Sequence, residues 1–234
     1  IRILIEGLFA HRTLLNILCS YVYFPDNSDS NTLILPKYYQ YYGAEAMYAH
    51  IIEEHEKGSG KGGTYWGATG CGKSFTMLFL SKRLTTSVEL HKPTIILLTD
   101  RNDLDEQLSS DFENAKEYLV DENSISIPNR KKLGEYLGNI QSGGIYLMTI
   151  QKFSEGIGLL SDRGNIICIS DEAHRTQTNT EAKYIVSKSD AKKTYGFAKY
   201  LRDSFPHATY VGFTGTPVDA TLRVFGEVVV KYTM

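Results

Sequence analysis

From residue 64 onward the chain alternates short, unbroken apolar runs with longer segments of mixed polarity. The runs Thr94–Thr99 (TIILLT), Ile145–Thr149 (IYLMT), 165–170 (NIICIS) and Thr209–Thr214 (TYVGFT) carry almost no polar side chains in their middles. Short runs that are apolar on both faces predict central strands of a parallel sheet, because such strands are covered on both sides. Residues 64–66 read as a further short buried strand. Helices are predicted between the strands, over 74–84, over 103–112 with Asp103 as N-cap, and over 196–204. Strands alternating with helices place the chain in the α/β class, with a mostly parallel sheet between helices.

The first part of the chain is patterned differently. Residues 14–22 (LLNILCSYV) are apolar at helical or mixed spacing, and a polar turn follows at 25–31 (PDNSDSN). Residues 32–35 predict a short strand. Pro36 suits the opening of a helix over 38–57 that Gly58 ends. The stretch 58–63 (GSGKGG) reads as a flexible connector. This divides the chain into an N-terminal linker segment, 1–35, arriving from a preceding domain, and a single domain, 36–234. Residues 113–142 are weakly patterned, 176–193 are polar and read as mobile, and no internal repeat is present.

Composition narrows the class only slightly. At 234 residues, 42% hydrophobic and 22% charged, the chain is long enough and apolar enough for a full core. The formal net charge of −2 gives no overall basic signature, so a nucleic-acid partner would need a local basic groove. Cys19, Cys71 and Cys168 are odd in number and widely spaced, which fits no disulfide or metal framework and suits a reducing cytoplasm. No apolar run approaches the roughly 20 residues of a membrane-spanning helix. The opening Ile1-Arg2-Ile3-Leu4-Ile5 lacks a Met and a signal-peptide flank, and reads as a piece of something longer.

The chemistry begins at GATGCGKS, where Gly67, Gly72, Lys73 and Ser74 satisfy G-x-x-x-x-G-K-[ST]. Glycines let backbone N–H groups turn inward around phosphates, the lysine reaches the terminal phosphates, and the serine hydroxyl is placed for Mg²⁺. The following helix adds its positive N-terminal end. The expected nucleotide contacts are Gly67, Thr69, Gly70, Cys71, Gly72, Lys73, Ser74 and Phe75. Cys71 reads as a small filler, with a regulatory thiol as the alternative. Asp171-Glu172-Ala173-His174 follows the run 165–170 directly. That puts two carboxylates at the carboxyl end of a parallel strand, where open α/β sheets bind ligands. Asp171 is expected to hold Mg²⁺, and Glu172 to take a proton from the attacking water. By itself the pair also suits an acidic helix N-cap. His174 reads equally as a relay of nucleotide state and as a satisfied buried group.

DEAH together with the phosphate loop resembles the superfamily 2 helicases and translocases. Thr214-Gly215-Thr216-Pro217 resembles the motif that links hydrolysis to motion in that superfamily. The segments 38–45 (YYQYYGAE), 99–107 (TDRNDLDEQ), 149–153 (TIQKF), 171–176 (DEAHRT) and 212–217 (GFTGTP) occur in the order seen in the motor (R) subunit of type I restriction enzymes. The resemblance runs from about Leu8 onward; the serine usual at position 71 is Cys here. It implies a RecA-like first motor lobe that binds ATP and Mg²⁺. Gln40 would read adenine through its amide, and Lys73, Asp171 and Glu172 would be catalytic. Asp100, Arg101 and Thr149 would face DNA, and His174, Thr214 and Thr216 would couple hydrolysis to movement. Taken singly, Arg101 and Lys152 read as solvated charges, and most tyrosines around Gln40 as helix packing.

The resemblance further implies double-stranded DNA as the track, and specificity and methylation subunits as partners. It puts the second lobe, with its arginine finger, and the nuclease outside this chain. The lobe alone is then expected to be weak or inactive, since removing such a finger costs ~10³–10⁵ in rate. Another superfamily 2 DNA or RNA machine, and a nucleotide-controlled binding module, are the alternative readings.

Overall fold

The computed structural model describes residues 4–26, 32–99, 110–112, 114–119, 125–150, 158–173, 183–186, 191–194 and 197–233. Its strands are β1 (Lys61–Gly67), β2 (Thr94–Thr99), β3 (Ile125–Ser126), β4 (Ile145–Thr149), β5 (Ile166–Ser170), β6 (Lys183–Val186), β7 (Ala191–Thr194), β8 (Thr209–Thr214) and β9 (Val228–Tyr232). Seven of them form one sheet in the order β3-β4-β2-β5-β8-β1-β9, with every pairing parallel. β6 and β7 form a separate antiparallel pair, within the polar stretch that reads as mobile in the sequence.

The helices are α1 (His11–Ser20), α2 (Tyr38–Glu56), α3 (Lys73–Thr85), α4 (Lys116–Leu119), α5 (Arg130–Asn139), α6 (Phe197–Ser204) and α7 (Asp219–Phe225). They leave β2, β4, β5 and β8 buried on both faces. Ile95, Leu97, Ile167, Ile169, Val211 and Phe213 point into a core shared with α1, α2 and α3. Ile96, Leu98, Cys168 and Tyr210, one step out of phase, point into a second core with Leu133 and Leu137 of α5 and Leu201 of α6. A period of two split between two apolar layers is why the runs read as continuous.

Three local readings change. The stretch 58–63 is a connector only as far as Gly60, because β1 already begins at Lys61. The glycines at 62 and 63 serve close packing: a Cβ on Gly62 would lie 2.6 Å from Val211 Cγ2, and one on Gly63 2.5 Å from Val229 Cγ2. Residues 32–35 form no strand; Ile34 makes an isolated antiparallel bridge with Tyr23. Residues 113–142 hold α4, β3 and α5, the last capped by Asn129, whose side chain accepts from Lys132 N at 3.0 Å. The helix predicted over 103–112 lies mostly outside the described residues.

The segment ahead of α2 packs into the lobe. Ile17, Tyr21 and Tyr23 are buried in the same core as α2 and α3. Tyr21 donates to Glu45 Oε1 at 2.5 Å, and Arg83 Nε reaches the same oxygen at 2.6 Å. α2 in turn approaches β1 closely at Gly43, where a Cβ would lie 2.8 Å from the Tyr65 ring.

Candidate active site

All the parallel strands end at the same edge of the sheet, and the chemistry-bearing segments leave from there. β1 runs into the phosphate loop, which turns into α3 at Lys73. Gly70 and Gly72 take φ of +80° and +78°, a region closed to most side chains. A Cβ on Gly72 would also strike Gln40 Nε2 at 2.6 Å, while the space around Gly70 is open. The loop is held from outside by Ala68 N donating to Tyr232 O at 3.0 Å, and from within by Cys71 N donating to Ala68 O at 3.2 Å. α3 begins at Lys73, so the loop leads into the N-terminal end of a helix, where backbone N–H groups without helical partners suit an anion.

Thr69 and Gly70 are exposed at the loop tip, and Lys73 and Ser74 are half-buried. Cys71 is only 2% exposed, and burial pushes its thiol above the usual range although Lys73 pulls the other way. Phe75 turns away and packs against the core. Gln40 is buried beside the loop. Its Oε1 accepts from Lys37 N at 2.8 Å, capping a free N–H at the start of α2, and its Nε2 donates to Gly72 O at 3.3 Å. Both ends of the amide are thus engaged by the protein itself.

The second half of the site comes from β5. Asp171 N donates to Leu98 O at 2.8 Å, and Asp171 Oδ1 is shielded from solvent. Glu172 has φ +46°, unusual for a residue with a side chain. Its Oε1 lies 3.8 Å from Lys73 Nζ, with the two side chains 21% and 10% exposed. A cation reaching from the phosphate loop thereby meets a carboxylate from the DEAH segment. The donor types fit a divalent metal bound with a nucleotide: a hydroxyl at the helix start, a shielded carboxylate after β5, and a loop with an exposed tip for phosphate oxygens.

Of the other expected residues, Thr214 is buried at the end of β8, and its Oγ1 accepts from Thr216 N at 3.1 Å, leaving Thr216 exposed on a short turn. Thr149 is buried at the end of β4, with its hydroxyl shielded from solvent. Asp100, Arg101, Lys152 and His174 lie outside the described residues. Trp66 was missed as anything more than a strand residue. Its Nε1 donates to Gly215 O at 2.9 Å, and Lys231 Nζ sits 4.1 Å over its ring. Its one signal in the sequence is that it is the chain's single tryptophan, placed just before the loop.

The family model for the SWI2/SNF2 ATPase matches residues 39–234. The chain belongs to the SWI2/SNF2 ATPase family. Nucleotide use by this SWI2/SNF2 ATPase region agrees with the loop and carboxylates just described. Over 99% of its length the chain is 38% identical to the type I restriction enzyme HindI endonuclease subunit of Haemophilus influenzae. Over 82% it is 29% identical to the type I restriction enzyme SauCOLORF180P endonuclease subunit of Staphylococcus aureus (strain COL). It spans about a fifth of those relatives, 22% and 18% of their lengths. The Pyrococcus furiosus Hef helicase domain shares the fold, with a TM-score of 0.54 at 16% identity over 85% of this chain and 38% of that one. The expected RecA-like architecture is therefore present. Among the described residues, no helix is long and apolar enough to cross a membrane.

Proposed function

We propose that this chain is the first ATP-driven motor lobe of a type I restriction enzyme's motor subunit, acting in the cytoplasm. The complete protein would convert ATP hydrolysis into movement along double-stranded DNA and deliver that DNA to a nuclease. The observation that carries the catalytic part is the approach of Lys73 to Glu172 across the mouth of the phosphate loop. Similarity along nearly the whole chain to restriction endonuclease subunits supports the biological setting.

In this reading the ATP phosphates lie on residues 67–74, against the N-terminus of α3. Lys73 turns from Glu172 to the terminal phosphates, which releases the carboxylate. Glu172 then accepts the proton of the attacking water as the terminal P–O bond breaks, giving ADP and phosphate. Ser74 and Asp171 would hold Mg²⁺, which when bound neutralises charge on the phosphate oxygens. Gln40 would exchange one of its present partners for adenine. Asp100, Arg101 and Thr149 would serve the DNA side, and His174, Thr214 and Thr216 would pass the nucleotide state to it. Contacts of this kind, to phosphates and not to base edges, suit movement over any sequence. Specificity and methylation subunits would supply site recognition.

The test is ATP hydrolysis by the full-length protein with its partner subunits, on unmethylated duplex DNA and on single-stranded RNA. Stimulation by duplex DNA, lost in Glu172→Gln, is the expected result. Stimulation by RNA alone would assign the lobe to an RNA machine. No stimulation by either polymer, with ATP still bound, would assign it to a nucleotide-controlled binding module.

A further inference from the structure

Trp66 occupies a junction that the phosphate chemistry does not use. In β1 it pairs in register with Thr214 of β8 on one side and with Lys231 of β9 on the other. Its backbone is therefore fixed in the middle of three strand ends, one residue before the phosphate loop. The preceding side chain, Tyr65, is fully buried and stacked on Phe213 at 4.9 Å, which anchors that face of β1 in the core. The indole leaves the opposite face of the strand and spans sideways to the residue after Thr214. An indole N–H can only donate, so its bond to Gly215 O has one direction and one partner type.

Gly215 is itself seated against the loop. A Cβ there would lie 3.7 Å from both Gly67 O and Thr69 Oγ1. Immediately beyond it, Thr216 N closes onto Thr214 Oγ1 and shapes the exposed turn. Lys231 lies over the indole ring. Beyond the β1–β8 backbone pairing, the start of the phosphate loop and the start of the Thr214–Thr216 turn are thus also joined by a directed side-chain hydrogen bond between residues distant in sequence.

We infer that Trp66 is a positioning residue that transmits displacement of the phosphate loop to the Thr214–Thr216 turn through its bond to Gly215 O. The inference rests on the motor reading above. A shift at Gly67 on nucleotide turnover moves the indole, and the bond carries that shift to the backbone at which the turn begins. Coupling of this kind needs a physical element that both sites bias, and Trp66 is joined to Gly67 through the backbone and to Gly215 O through its indole.

The test is Trp66→Phe in the full-length protein with its partner subunits. This change keeps an aromatic ring under Lys231 but removes the indole N–H together with part of the ring, which leaves the Gly215 carbonyl without its indole donor. DNA-free hydrolysis and KM for ATP are expected within about twofold of wild type, while duplex-stimulated kcat falls on the order of five- to tenfold. Lys231→Met, which bares the ring but leaves the donor, is expected to retain stimulation. Full stimulation in Trp66→Phe would overturn the coupling role. So would an equal loss in both variants, or a rise in KM together with a fall in DNA-free turnover, since these report ring packing. If the wild-type enzyme itself shows no stimulation by duplex DNA, the motor reading fails, and this inference with it.

Discussion

Glu172 Oε1 lies 3.8 Å from Lys73 Nζ, although one residue follows β5 and the other opens α3. The backbone of Glu172 is left-handed there, which costs on the order of 1–2 kcal/mol for a residue with a Cβ. The hydrogen bond from Asp171 N to Leu98 O anchors the turn that holds it. The two residues have separable tasks. Glu172→Gln is expected to lower ATP turnover ~10²–10⁴-fold while nucleotide binding persists. Lys73→Ala is expected to lose binding as well. Equilibrium nucleotide titration beside single-turnover hydrolysis separates the two effects, and loss of binding in Glu172→Gln would contradict this division.

Gln40 joins the start of α2 to the phosphate loop. Gln40→Ala removes both the capping contact at Lys37 N and the bond to Gly72 O. It is expected to cost about 1 kcal/mol of stability, as other lost caps do, and to weaken ATP binding more than GTP binding. Thermal unfolding and paired nucleotide affinities check this. An equal loss for both nucleotides would leave Gln40 a loop support and not a base reader.

Tyr21 fastens α1 to the lobe through burial and through Glu45, which Arg83 also holds. Tyr21→Ala is expected to destabilise the fold by about 3–5 kcal/mol, as for other buried aromatic truncations. Denaturant unfolding measures it. A change below about 1 kcal/mol would mean that the segment before α2 is a separable linker, as a boundary at residue 35 implies.

Burial pushes the Tyr23 and Tyr65 hydroxyls up to about 12, and pushes those of Tyr21, Tyr118 and Tyr210 higher still. A group whose folded pKa is raised contributes stability that is complete below its unfolded pKa, about 10 for tyrosine, and is lost as pH rises through the folded value. Stability is therefore expected to decline above about pH 10, with tyrosinate formation and loss of helix arriving together near or above pH 12. Tyrosinate absorbance and far-ultraviolet circular dichroism follow the two events. Ionisation of these tyrosines well before any loss of helix would contradict their burial.

The sheet was legible where both faces of a strand are apolar, as in Thr94–Thr99 and Thr209–Thr214. It was less legible at β1, where Gly62 and Gly63 look like a linker but admit the valines of neighbouring strands. β9 also escaped notice, because at the sheet edge its side chains are only half-buried and its pattern is mixed. The phosphate loop and the carboxylates were readable because their spacing is local. The bond from Trp66 to Gly215 was not, since its partners are 149 residues apart and only the β1–β8 pairing brings them together.

Under the proposed function, hydrolysis at this site moves duplex DNA. The most direct measurement is displacement of a third strand from a distant triplex on linear duplex DNA by the full-length protein with its partner subunits. The expected result is ATP-dependent displacement with a delay that grows with distance, abolished in Glu172→Gln. Duplex-stimulated hydrolysis without displacement at any distance would contradict it.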